Sequence, residues 1–277
     1  MDILPPQTRH PASIDTTFVM GGLPSADKPA ARKPVGENYA PLAHVCHLLN
    51  IDPALKEELC GRCHYMRFNS GEPIHYAGDP FSGIYIVADG SAKETLIRDG
   101  RASIVGLFLP GEIIGFEGFD RLVHTCTASA VSDLLLVWVP HKVLAGYCRT
   151  YRDFDCAIVK AFARQILDVG VLLETLGNVD ALVKTAFFLF NLAVRTGTHV
   201  APMTELRLHL THTDVATYIG IECETLSRTL DALGESNLIR CEGDAIYINN
   251  IEQLQQICMP YSARFVMRVT ETTPRLA

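Results

Sequence analysis

Three side chains within seven residues have the types and spacing to read the edges of base pairs. In "ECETLSR", residues 222–228, Glu224, Ser227 and Arg228 fall at i, i+3 and i+4, so on a helix they share one face. A guanidinium can donate two parallel hydrogen bonds to guanine O6 and N7, and a carboxylate can accept from cytosine N4. A serine between them is small enough to let a helix come close. The plain structural alternative is a solvated Glu–Arg pair at i, i+4, which stabilises a helix by about 0.2–0.5 kcal/mol and does nothing else. Context has to decide between the two.

That context is a helix-turn-helix. Thr211-His212-Thr213-Asp214 has the S/T-x-x-D/E spacing of a capping box, which starts a helix at Thr211. Gly220 permits a tight turn, and Ala216, four residues earlier, is small enough for a close helix crossing. Val215 and Leu226 supply a shared core, with Leu226 and Leu230 on the face of the second helix opposite the readers. Upstream, "LVKTAFFLFNLAVRT" predicts an apolar helix. Downstream, "LIRCEGDAIYINN" predicts two strands joined at Glu242-Gly243-Asp244. Helices followed by a small hairpin describe a winged helix, placed at 180–260.

Further toward the N-terminus the pattern changes. Residues 41–145 carry short alternating runs such as "IYIV" and "SIVGLF", punctuated by glycines, with a hairpin turn at Asp99-Gly100. They predict an antiparallel β-roll, preceded by short helices across 42–63. Residues 149–177 carry Phe154, Ile158, Phe162, Ile166, Val169, Leu173 and Leu176 at helical spacing. This long helix, set within 146–179, needs a partner for its stripe, and pairing with its copy in a second chain is preferred over packing on the roll. Residues 1–40 hold six prolines and no lasting apolar period, so they read as a flexible leader, and 261–277 as a loose tail. The fold class is therefore α+β.

In this order, roll, long helix and winged helix resemble the CRP/FNR superfamily of bacterial transcription regulators over about residues 45–258. The most specific stretch is "TDVATYIGIECETLSRTLDAL", whose E-T-L-S-R matches the Glu-x-x-Ser-Arg recognition motif of the FNR branch. The resemblance implies a dimer on palindromes close to TTGAT-N4-ATCAA. Arg228 would read the guanine, Glu224 the opposite strand and Ser227 a thymine, with Thr211, Thr213 and Thr225 as further DNA-contacting residues. It also implies contact with RNA polymerase, and two recognition helices in successive major grooves about 34 Å apart.

Departures from the family pattern narrow the branch. Members that bind cyclic AMP carry a glutamate after the glycine of "PGE-x-x-G" and then an Arg-Ser pair; here Phe116 and His124-Thr125 occupy those places. An imidazole is a weak substitute for a phosphate-clamping guanidinium, so no cyclic nucleotide is expected. An iron–sulfur cluster needs four converging thiolates. No cysteine precedes Cys46, and Val137 stands at the roll position. What remains resembles the FixK-like branch, whose members activate genes of low-oxygen respiration, denitrification and nitrogen fixation. No cofactor and no metal are expected. A haem- or small-ligand-gated regulator of the same fold, or a module whose helix-turn-helix binds protein only, are the rival readings.

Two cysteine patterns stand out among nine cysteines. Cys223 falls in the first turn of the recognition helix. The helix N-terminus favours its thiolate, while Glu222 and Glu224 oppose it. Its oxidation would set charge or bulk beside DNA phosphates and weaken binding, making it a redox brake; otherwise it is a small residue tolerated in a turn. Cys60-Gly-Arg-Cys63-His64 spells the c-type haem attachment pattern, but that chemistry needs an oxidising assembly compartment. A thiol pair, a weak metal site or packed cysteines at a helix end are the other readings.

Composition bounds the rest. The chain has 277 residues, 48% hydrophobic and 20% charged, enough to bury real cores. No run of about 18 apolar residues suggests a membrane span. The N-terminus has Asp2 and prolines but no basic start or apolar h-region, so the cytoplasm is the expected location. No phosphate loop, nucleophile elbow or H-E-x-x-H appears, so no catalytic residue is assigned. The formal net charge is −7, and residues 205–245 hold three arginines against eight carboxylates. Phosphate neutralisation supplies most nonspecific affinity, so that balance predicts weak nonspecific binding and reliance on base contacts and dimerisation.

Overall fold

Side-chain alternation explains why the segment Gly83–Asp89 (β3) sits at the centre of the N-terminal half. All but its last residue are buried. Ile84, Ile86 and Ala88 face one core while Tyr85 and Val87 face another, as the two-residue period of a strand requires. The computed structural model in which this is seen describes residues 40–258, apart from 50, 52–58, 60–61, 178, 197–203, 208 and 244. The expected leader to residue 39, the tail 261–277, Cys60 and the turn residue Asp244 lie outside the described residues.

The roll is built from β1 (His64–Phe68), β2 (Pro73–His75), β3, β4 (Ala92–Arg98), β5 (Arg101–Phe108), β6 (Ile113–Ile114), β7 (Thr127–Ala130) and β8 (Leu134–Pro140). They form two four-stranded sheets, β1-β8-β3-β6 and β2-β7-β4-β5, antiparallel throughout. Asp99 and Gly100 join β4 to β5 with φ of 51° and 74°, the two positive angles of a type I′ hairpin turn. Phe68, Val87, Phe108 and Leu136 fill the core to which both sheets contribute.

Helices share a second core with the first sheet: α1 (Ala40–Leu49), α2 (His141–Thr150) and the start of α3 (Arg152–Leu176). The sequence pattern suggested one helix from about 149. The structure has two, because Tyr151 takes an extended conformation (φ −119°, ψ 103°) between them. In α3, Phe154, Ala157, Ile158 and Ala161 pack into the roll-side core. Beyond them the apolar stripe emerges into solvent, with Phe162, Ile166, Val169 and Leu173 exposed.

The C-terminal half holds α4 (Ala181–Arg195), β9 (Thr204–Arg207), α5 (His212–Ile219), α6 (Cys223–Glu235), β10 (Ile239–Glu242), β11 (Ala245–Ile248) and α7 (Ile251–Cys258). Phe187, Leu189 and Leu192 of α4 share a core with Val215, Ile219, Leu226 and Leu233. The wing is a three-stranded sheet, β10-β11-β9. Its third strand, the four residues "TELR", is too short to announce itself and is defined by pairing with β11.

The two halves meet at β5. Leu107 belongs to the C-terminal core. Arg195, its side chain 3% exposed, donates from Nε and Nη2 to Glu112 at 2.9 and 2.6 Å and also to the Leu107 carbonyl. Lys93 Nζ on β4 meets Asp214 Oδ1 on α5 at 2.6 Å. No helix among the described residues is long and apolar enough to cross a membrane.

Candidate DNA-recognition site

The first helix of the pair starts where its capping residue requires. Thr211 is extended (φ −71°, ψ 155°), and its Oγ1 accepts from the Asp214 N–H at 3.0 Å. The reciprocal half of the expected capping box is replaced, because the Asp214 carboxylate takes Lys93 from the roll. At the other end Gly220 adopts φ 66°, ψ 47°. This left-handed conformation strains any residue with a Cβ, and it lets the Gly220 and Ile221 N–H groups close on the Ala216 carbonyl.

The turn delivers α6 with two distinct sides. Leu226, Leu230 and Leu233 are buried, and Thr229 Oγ1 meets Thr185 Oγ1 of α4 at 2.8 Å, which pins α6 across the core. Glu224 and Arg228 are exposed, and Thr225 and Ser227 half-buried. Among the described residues Glu224 and Arg228 form no ion pair with each other. Arg228 Nη2 instead donates to Thr225 Oγ1 at 3.3 Å, and Ser227 Oγ donates back to the Cys223 carbonyl at 3.3 Å. The solvated-pair alternative is thus not what the side chains do. Arg207 and Arg240, by contrast, are held by Glu205 at 2.8 Å and Glu242 at 3.1 Å.

Of the seven residues singled out in the sequence, Cys223, Glu224, Thr225, Ser227 and Arg228 fall on the first two turns of α6. Thr213 is exposed at the start of α5. Thr211 is exposed too, but its hydroxyl is committed to the cap. Cys223 is exposed at the first position of α6, where no side chain caps the helix.

In the roll, Phe116 is half-buried against the roll-side core and meets Phe162 of α3, ring centroids 4.8 Å apart. His124 is buried, with Nδ1 2.8 Å from Glu117 Oε1. A cavity of about 330 Å³ lies nearby; its charged lining is Glu94, Glu112, Glu117, Asp168 and Arg195. The guanidinium is already taken by Glu112. Burial, and after it Glu117, pushes the Glu94 carboxyl up to about 8.

An antiparallel roll joined by a long helix to a winged helix-turn-helix defines a two-part DNA-binding regulator. Residues 65–151 match the cyclic nucleotide-binding domain and residues 183–257 the Crp-like helix-turn-helix domain. The chain is 29% identical to electron transport regulator A of Shewanella oneidensis over 185 residues, 66% of this chain and 74% of that one. It is 27% identical to the fumarate and nitrate reduction regulatory protein of Yersinia pestis over 188 residues, 68% of this chain and 75% of that one. The solved structure of FixK2 from Bradyrhizobium japonicum superposes with a TM-score of 0.63 at 24% identity, over 70% of this chain and 96% of that one. The chain belongs to the CRP/FNR family of transcription regulators, which are DNA-binding proteins and not enzymes.

Proposed function

We propose that the protein is a FixK-like activator that binds TTGAT-N4-ATCAA palindromes as a homodimer and works with RNA polymerase in the cytoplasm. The observation that carries this reading is the face of α6, where Glu224 and Arg228 stand exposed and unpaired with each other. Arg228 reads the guanine, Glu224 the opposite strand and Ser227 a thymine, with Thr213 and Thr225 beside them. Thr211 contributes through the cap that sets α5. The exposed stripe on α3 supports dimerisation, since a long helix with Phe162, Ile166, Val169 and Leu173 in water wants a second copy. The names of the relatives, an electron transport regulator and a fumarate and nitrate reduction regulator, support control of respiratory genes; the extension to denitrification and nitrogen-fixation genes rests on the FixK-like resemblance.

Cyclic nucleotide is not the effector in this reading. In that cavity the one arginine is already paired with Glu112, and Glu117 and Asp168 add negative charge, so no free cation is left to clamp a phosphate. Its presence does favour a second reading, gating by a small uncharged or cationic ligand. A rise in operator affinity on adding such a ligand would favour it, and a Soret band in the purified protein would point to haem.

Fluorescence anisotropy with the palindromic duplex and a scrambled control tests the main reading. Selective binding without added ligand is expected, and Glu224→Ala and Arg228→Ala should each remove it. If both variants bind like wild type, α6 is not the reader and the protein-binding alternative takes over.

A further inference from the structure

Behind the cavity lies a cluster that the DNA-binding reading does not use. His75 at the end of β2, Glu117 in the single 3-10 turn Phe116–Gly118, and His124 just before β7 converge from three parts of the chain. One donor atom from each lies within 4.8 Å of the other two. The two imidazoles are stacked, centroids 3.7 Å apart and planes 17° from parallel. His75 and His124 are 4% and 2% exposed.

The backbone holds this arrangement in place. The Gly78 N–H donates to the His124 carbonyl at 2.8 Å, and the His124 N–H donates to the Asp79 carbonyl at 2.9 Å. Pro80 and Val123 form an isolated bridge beside them. The short stretch after β2 is thereby fastened to the stretch before β7. Gly118 allows the close approach of the 3-10 turn; a Cβ there would stand 2.9 Å from the Phe81 ring and 3.2 Å from His124 Nδ1.

As a purely structural feature the cluster is costly. By strict geometry neither ring nitrogen of His75 has a hydrogen-bond partner, although the Cys126 backbone lies against the ring, and Glu117 Oε2 is buried without a partner. Leaving such groups buried without hydrogen bonds is unfavourable. One divalent cation could take one His75 nitrogen together with a Glu117 oxygen and a His124 nitrogen.

We propose that His75, Glu117 and His124 form a binding site for one divalent transition-metal ion. Two imidazole nitrogens and one carboxylate oxygen are a donor set for zinc, iron(II) or cobalt(II), with further positions left for water or a small ligand. Donors about 2.0–2.1 Å from a tetrahedral ion stand about 3.3 Å apart, so metal binding would close the present spacing and turn at least one imidazole out of the stack to aim its lone pair at the ion. The proposed site departs from the expectation of no metal, which rests on cysteine spacing and the lack of an H-E-x-x-H motif; nothing local in "PIHY" marks His75 as a partner of His124.

The site is tested without DNA, so its failure is separate from any failure of the operator reading. Protein stripped with chelator is titrated with cobalt(II), following the visible ligand-field bands and the bound metal per chain. One cobalt per chain is expected, displaced by zinc, with affinity at least 100-fold weaker in His75→Asn and in the nearly isosteric Glu117→Gln. Near-UV circular dichroism of the metal-free variants establishes that they fold; if His75→Asn does not, Glu117→Gln decides. No uptake by wild type, equal uptake by wild type and Glu117→Gln, or a cobalt–thiolate charge-transfer band reporting cysteine ligation would each overturn the proposal.

Discussion

Arg228 is the arginine of the 205–245 segment that meets no carboxylate among the described residues, whereas Arg207 and Arg240 are neutralised by their neighbours. A segment so short of free cations gains little from phosphates, so its affinity must be concentrated in a few base contacts. Arg228→Ala should therefore cost about 1–3 kcal/mol, roughly 5- to 150-fold, on the palindrome and little on scrambled DNA, read by anisotropy at fixed salt. Next to it, Cys223 is one of three exposed thiols among the described residues, with Cys156 and Cys241. Operator binding by Cys223→Ser should survive peroxide that abolishes wild-type binding. Equal loss in both would assign the sensitivity to the other thiols. Glu94 carries a pH prediction. Its carboxyl is protonated in the fold up to about pH 8 but ionises near 4.5 when unfolded. Unfolding thus releases a proton across that window, and stability falls as pH rises from about 4.5 to 8. Glu94→Gln should lose this component, so its thermal midpoint should fall less than that of wild type between pH 5 and 8.

At the scale of elements, α3 does two jobs along its length. Its first turns are buried against the roll, and its later turns expose Phe162, Ile166, Val169 and Leu173 at spacings of three and four. The early turns thus pack on the roll, while the later turns leave an apolar stripe for which a second copy is the proposed partner. Ile166→Glu and Leu173→Glu should yield monomers in sedimentation velocity, with helical circular dichroism retained, because neither side chain supports the fold of its own chain. Dimers that persist in both variants would remove α3 as the dimer contact. Phe116 gives the roll a direct line to this helix through Phe162, one residue away from Glu117.

Across the whole molecule, Arg195 ties the winged helix to the roll. Burial alone would lower its basicity, but Glu112 more than reverses this and holds the guanidinium charged. Glu112 also accepts from the Leu109 N–H at 2.9 Å, so one carboxylate organises both sides of the junction. Arg195→Ala would leave that carboxylate half-buried and unpaired. A loss of about 3 kcal/mol is expected, the low end for a broken buried pair because Glu112 keeps some access to water. Urea unfolding should show a lower midpoint, and separation into two transitions if Arg195 is what couples the halves.

The sequence by itself determined the recognition helix, the glycine turn, the cap at Thr211, the β4–β5 hairpin and the long helix. Each of these is written in local spacing: three or four residues for a helix face, two for a strand, one glycine where φ must be positive. Tertiary structure decided what depends on residues far apart in the chain. The strand β9 exists because β11 pairs with it. The Asp214 carboxylate leaves its capping box because Lys93, 121 residues away, offers a charge. Glu112 meets Arg195 across 83 residues, and His75 reaches Glu117 and His124 only because β2 and β7 are neighbours in one sheet. No local pattern encodes such meetings, since a short-range period carries no information about which distant segment the fold will bring alongside.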